Sequence, residues 1–253
     1  MWAVSVSGLL LHRLLQTQTS IMTWKQVFIS SVGKKLVMGF TGIFLIFFLI
    51  VHVGLNACIW AGDDGIMFNK AAHFMGATVV PRVLEIGLFL GFFLHIIQGY
   101  MLTAQNKKKR PVGYAVDYGN RGSKWYSRSM ALLGTLVLLF LIMHIYHFWT
   151  PSRLGGLAQI HELATVTYNG QEYHNLFAEM KTVFSSPVVV ILYILACLSL
   201  AYHLAHGFQS AFRTLGVHNK RYNTMISSLG YGFSIIVPLA FAMMPVSFYF
   251  NWI

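Results

Sequence analysis

The chain has 253 residues, of which 56% are hydrophobic and only 10% charged. Soluble domains carry about 25% charged residues, so a soluble enzyme is excluded and a single membrane-embedded bundle is expected. Formal net charge is +11, from 18 Lys and Arg against 7 Asp and Glu. The basic residues cluster in short loops beside apolar runs, which reads as charge held on the inner side of a membrane rather than as a nucleic-acid surface.

The segment before Met22 is apolar over its first fifteen residues but is broken by His12 and Arg13. It is too short to cross a hydrocarbon core of about 30 Å and lacks the basic start of a cleaved signal. It is read as an interfacial segment or as residues ahead of a true start at Met22. The chain therefore divides into a 1–29 N-terminal extension and a 30–253 membrane domain.

Five segments satisfy the requirement of about 20 apolar residues for a spanning helix. They run from Leu36 to Trp60, Val83 to Ala104, Met130 to Trp149, Val188 to Phe212 and Ile226 to Phe250. Lys25, Lys34 and Lys35 precede the first. Lys107, Lys108, Lys109, Arg110, Arg121, Lys124 and Arg128 lie between the second and third, and Arg213, Lys220 and Arg221 between the fourth and fifth. The alternate loops are mixed or acidic. The expected fold is an all-α integral membrane bundle of five transmembrane helices, with the N-terminus cytoplasmic and the C-terminus external. The longest loop, Pro151 to Pro187, holds Asn169-Gly170 between short β-prone runs and predicts a small hairpin capping the outer face.

Four histidines sit on four different spans: His52, His95, His144 and His203. At a rise of about 1.5 Å per residue, His52 and His144 fall in the outer half of the bilayer, because both lie past the middle of outward-running spans. His95 and His203 fall in the inner half, because their spans run inward. Ionisable groups inside spans are rare and tend to be functional. Two imidazoles at one depth suit the two faces of a haem b iron, and such ligation favours electron transfer because it leaves no position open to oxygen. Each imidazole must be neutral to act as a ligand. The only cysteines are Cys58 and Cys197, and no CxxC motif occurs, so covalent haem attachment and cysteine-bound zinc are not expected. His95–Gly99 and His203–Gly207 repeat an HxxxG spacing, which clears the helical face that each histidine uses. Gly87 and Gly91 form a GxxxG expected at a helix contact.

In this ordered set the chain resembles the cytochrome b membrane-anchor subunit of bacterial succinate dehydrogenase and fumarate reductase, in its five-helix, two-haem form. The marks are Ser30-Ser31-Val32-Gly33-Lys34-Lys35, Val51-His52-Val53, His95 in HxxxG, Met143-His144-Ile145, and His203 with Gly207 and Gly216. The resemblance covers about Ser30 to the C-terminus. It implies two haems b, with His52 and His144 as axial pair of the distal haem and His95 and His203 as that of the proximal one. It implies flavoprotein and iron–sulfur subunits as partners, a bacterial cytoplasmic (inner) membrane location, and exchange of electrons with a quinone, commonly menaquinone. Succinate chemistry would belong to the flavoprotein.

Ser31, Lys34, Trp125, Tyr126 and Arg213 are candidate propionate contacts at the inner edge, although such residues also anchor helices at an interface. Asn69, His73, Arg82 and Glu85 are candidates for a quinone site at the outer end, with capping by an Arg82–Glu85 pair as the plainer reading. Two rival functions remain at this level. One is a cytochrome b subunit of a formate dehydrogenase, hydrogenase or nitrate reductase. The other is a non-redox transporter or anchor whose histidines merely pack.

Overall fold

The computed structural model describes Thr23 and residues 30–109, 121–217 and 219–253. Apart from Thr23, the N-terminal extension, including Met22 and Lys25, lies outside the described residues, as do Arg110 and His218. Nine α-helices occur among the described residues. They are α1 (Ser31–Asn56), α2 (Ile66–Ala77), α3 (Val79–Lys108), α4 (Trp125–Arg128), α5 (Met130–His144), α6 (Thr150–Leu154), α7 (Leu176–Val183), α8 (Pro187–Thr214) and α9 (Lys220–Tyr249).

Five helical segments are long and apolar enough to cross a membrane: Ser31–Ala61, Val79–Lys108, Met130–Leu154, Pro187–Thr214 and Arg221–Tyr249. They correspond to the five expected spans, most of them longer at one or both ends. Hydropathy marks only the hydrocarbon-facing part, whereas the helices continue until a cap or a breaker stops them. Ser30 begins α1: its extended backbone lets Oγ accept from the Gly33 amide at 2.9 Å. Asn219 caps α9 by accepting from the Arg221 amide at 3.0 Å. Pro187 opens α8 at a position where no amide hydrogen is needed.

The helix α8 is central. It packs on α9, α5 and α1, while α1 also packs on α3. Phe40, Phe47 and Ile50 of α1, and Val83, Ile86, Leu90 and Phe93 of α3, face outward and exposed. An apolar surface of this kind suits lipid rather than water. Gly91 lies against Phe44 of α1, where an added Cβ would stand 3.0 Å from the ring, whereas Gly87 faces open space. The helix contact read into this GxxxG therefore rests on its second glycine alone.

One end of the bundle carries a cap. Strands β1 (Thr165–Tyr168) and β2 (Gln171–His174) pair antiparallel, with Thr165 opposite His174 and Tyr168 opposite Gln171. Asn169 (φ 52°) and Gly170 (φ 78°) make the turn in the left-handed region, as the Asn-Gly pair predicts. A core of Ile59, Phe68, Met180, Phe184, Tyr193 and Phe248, with others, joins the cap to the spans. A smaller core of Ile46, Leu204, Phe208 and Ile226 closes the other half.

Asn69 on α2 is fully buried and pins the cap. Its Nδ2 donates to Tyr168 Oη and to Asn175 Oδ1, both at 3.1 Å, and its Oδ1 accepts from the Phe177 amide at 3.0 Å. Asn69→Ala would remove the bonds to Tyr168 Oη and the Phe177 amide, both partly buried, each worth about 1–3 kcal/mol. The expected result is faster proteolytic cleavage of the hairpin and a lower unfolding temperature in detergent. Unchanged protease resistance would contradict the pinning role.

Candidate functional site

The apolar interior brings the four intramembrane histidines together in twos. His52 on α1 faces His144 at the end of α5, with ring centroids 5.8 Å apart and planes at 89°. His95 on α3 faces His203 on α8, at 6.3 Å and 60°. The couples match the depths given by helical rise, one toward the capped end and one toward the basic end. Among the described residues no three of His, Cys, Asp and Glu converge, so paired imidazoles are the arrangement to explain.

The outer couple stands in an aromatic box. Phe48 stacks on His52 at 5.1 Å and Phe140 on His144 at 5.4 Å. Phe241 lies 5.4 Å from His52, and Phe148 and Tyr193 lie 5.4 and 6.1 Å from His144. The inner couple is less crowded. An added Cβ at Gly207 would meet nothing within 4 Å, and one at Gly99 would meet only the Met38 methyl at 3.8 Å. The faces beside both HxxxG glycines are thus free for a flat group.

Hydrogen bonding separates the four rings. Thr41 Oγ1 gives its proton to the Val37 carbonyl at 2.7 Å, so its lone pair accepts from His95 Nδ1–H at 3.1 Å. That fixes the tautomer and leaves His95 Nε2 unprotonated and able to bind a metal. His52 Nδ1 lies 3.3 Å from Asn56 Nδ2, which also donates to the His52 carbonyl at 2.8 Å. In this orientation of the amide Nδ1 accepts and Nε2 carries the proton, so ligation through His52 Nε2 requires the amide turned over, with Oδ1 accepting from Nδ1–H. The Nδ1 atoms of His144 and His203 are buried with no hydrogen-bond partner. Among the described residues none of the four Nε2 atoms makes a hydrogen bond.

The neighbouring histidines behave differently. His147 Nδ1 meets Tyr193 Oη at 3.0 Å. His206 lines a cleft of about 390 Å³ with Lys35, Gln209 and Arg213 at the inner end of α1 and α8. His161 Nε2 bonds Glu179 Oε2 at 3.1 Å. His73 is on α2, and its ring packs 4.9 Å from that of Tyr173.

The inner-edge candidates are spread over several elements. Ser31 is exposed, whereas Lys34 is only 2% exposed despite its charge. Trp125 packs 4.7 Å from Tyr202. Tyr126 Oη lies 3.2 Å from Tyr231 Oη, and that hydrogen bond, with partial burial, pushes the Tyr126 phenol up to about 12. Arg213 lines the cleft with Lys35 and is close enough to act on the Tyr231 phenol.

At the outer end Asn69 is occupied by the cap. Arg82 Nη1 bonds Glu85 Oε2 at 2.8 Å, as the plainer sequence reading had it. Glu85 Oε1 also accepts from Arg153 Nε at 3.2 Å and from the Trp149 indole. Neither Trp149 nor Arg153 was singled out by the sequence, because their partner lies more than sixty residues away. Also unanticipated is a π-helical turn, Ile145–Trp149, directly after His144. Pro151 was its one signal, since it cannot return an amide hydrogen bond to the preceding turn.

No family model and no solved structure matches the chain. The chain is similar to the succinate dehydrogenase cytochrome b558 subunit of Bacillus subtilis (strain 168). The two are 26% identical over 178 residues, which cover 67% of this chain and 72% of that protein. The resemblance carried by the histidine and glycine pattern is therefore found again across most of the chain.

Thr41→Val keeps the shape but removes the acceptor of His95 Nδ1–H. It is expected to destabilise the detergent-solubilised protein by about 1–3 kcal/mol, with recovery in Thr41→Ser. Equal unfolding temperatures for wild type and Thr41→Val would contradict this role.

Proposed function

We propose that this chain is the dihaem cytochrome b subunit that anchors a succinate dehydrogenase or fumarate reductase in the membrane. It would carry electrons between an iron–sulfur partner and membrane quinone. The observation that carries the reading is the two imidazole couples. Two metal–imidazole bonds of about 2 Å, with the half-width of each ring, set centroids roughly 6 Å apart. The observed separations are 5.8 and 6.3 Å. The unbonded Nε2 atoms and the open faces beside Gly99 and Gly207 fit the same group.

His52 and His144 would hold the outer haem, and His95 and His203 the inner one. Each haem, when bound, supplies one-electron chemistry without an open coordination position. The chain's own residues fix the imidazoles, exclude water with Phe48, Phe140, Phe148 and Phe241, and orient His95 through Thr41. Lys34, Arg213, Trp125, Tyr126 and Ser31 would offer charge and donors to propionates at the inner edge. Quinone would approach the outer end beside His73 and Arg82, where Asn69 and Glu85 are bonded into the protein framework. The basic connections favour an inner end at the cytoplasmic face, where the flavoprotein and iron–sulfur subunits would dock.

Purified in its complex, the protein is expected to carry about two low-spin b haems per chain. His52→Ala or His144→Ala should remove one of them, and His95→Ala or His203→Ala the other. Succinate should reduce the haem in the intact complex. A complex without iron or a b-type α-band would overturn the reading, and haem that only formate or hydrogen reduces would reassign the partner.

A further inference from the structure

The third span does not run as a regular helix to its outer end. It ends as α5 at His144, passes through the π-helical turn Ile145–Trp149, and resumes as α6 at Thr150. Such turns are rare and occur mostly as single insertions, often beside functional groups. An extra residue in one turn changes which side chains face which neighbours. Here His144 can point at α1, His147 at α8 and Trp149 at α3.

The turn is fastened on two sides. On α8, Tyr193 Oη meets His147 Nδ1 at 3.0 Å, and the two rings stack within 13°. On α3, Glu85 takes the Trp149 indole and Arg153 Nε on one carboxylate oxygen and Arg82 on the other. Trp149 also packs 5.1 Å from Phe89 of α3. The Glu85 side chain is 16% exposed, so its bonds to Trp149 and Arg153 are partly shielded, whereas the bond to Arg82 is open to solvent.

His144 has no hydrogen bond of its own to set its ring. His52 and His95 each have a neighbour at Nδ1. His203 shares the lack but stands inside regular α8, with eleven helical residues after it. The orientation of His144 therefore depends on the backbone that carries it and on the rings packed around it.

We propose that Glu85 is a positioning residue for His144. By tying Trp149 and Arg153 to α3, it fixes the rotation of the π turn and hence the angle at which the His144 imidazole faces His52. The inference rests on the dihaem reading. Both oxygens of Glu85 are engaged inside the protein, so its role is to hold the turn. A glutamine keeps the shape but offers one acceptor oxygen in place of two and removes the charge that two arginines share.

The test uses the intact complex with Glu85→Gln and, separately, Trp149→Phe, which keeps an aromatic ring but loses the indole donor. Electron paramagnetic resonance of the oxidised haems reports the angle between axial imidazole planes, and a redox titration reports each midpoint. The outer haem is identified as the component absent in His52→Ala. In both variants its g-values should shift and its reduction equilibrium should change roughly threefold or more, about 30 mV for a one-electron couple. The inner haem should be unchanged. An unchanged outer component in either variant overturns the proposal, as does an equal shift of both haems, which would mark general loosening. If Glu85→Gln does not assemble, Trp149→Phe decides. A wild-type complex without haem would instead sink the functional reading on which the inference rests.

Discussion

The hydrocarbon core of a membrane offers no water, so every polar group placed there must find its partner inside the protein. The backbone meets this demand by being helical throughout the spans. The small hydroxyls meet it by bonding back to their own helices: Thr41 to Val37, Thr135 to Ala131, Ser234 to Tyr231 and Ser247 to Met243. Against this background the imidazoles stand out. His144 and His203 each keep a ring nitrogen buried and unpaired, whereas His95 reaches the Thr41 hydroxyl and His52 the Asn56 amide through Nδ1. A polar group left unsatisfied in that setting costs free energy, so these two rings are the exception that the fold has to account for.

The same constraint explains the asymmetry of the two ends. The capped end is tightly bonded, with Asn69 joining α2, the hairpin and α7, and with Phe248 of α9 packed against Phe177 and Phe184. The basic end has a smaller apolar core and an open cleft containing Lys35 and Arg213.

Much of this was legible in the chain because the relevant signals are local. Apolar runs of about 20 residues mark spans, Asn169-Gly170 marks a hairpin, and helical rise assigns depth to His52, His95, His144 and His203. Ser30 even marks where α1 starts, five residues before hydropathy does. What could not be read depends on contacts between distant segments. Glu85 finds Trp149 and Arg153 only after α3 and the third span are side by side, and Asn69 finds the hairpin only after α2 folds beneath it. The π turn was hidden for a different reason. Its residues are apolar and helix-compatible, so the hydropathy pattern passes through it unbroken, and only Pro151 hints that the ladder changes.

The couples join spans that are not neighbours in the chain: first with third, second with fourth. During synthesis the outer couple becomes available once the third span has left the ribosome, and the inner couple waits for the fourth. The fifth span contributes no imidazole, yet its Phe241 closes the box around His52. A chain that stopped after two spans would hold one imidazole of each couple and complete neither.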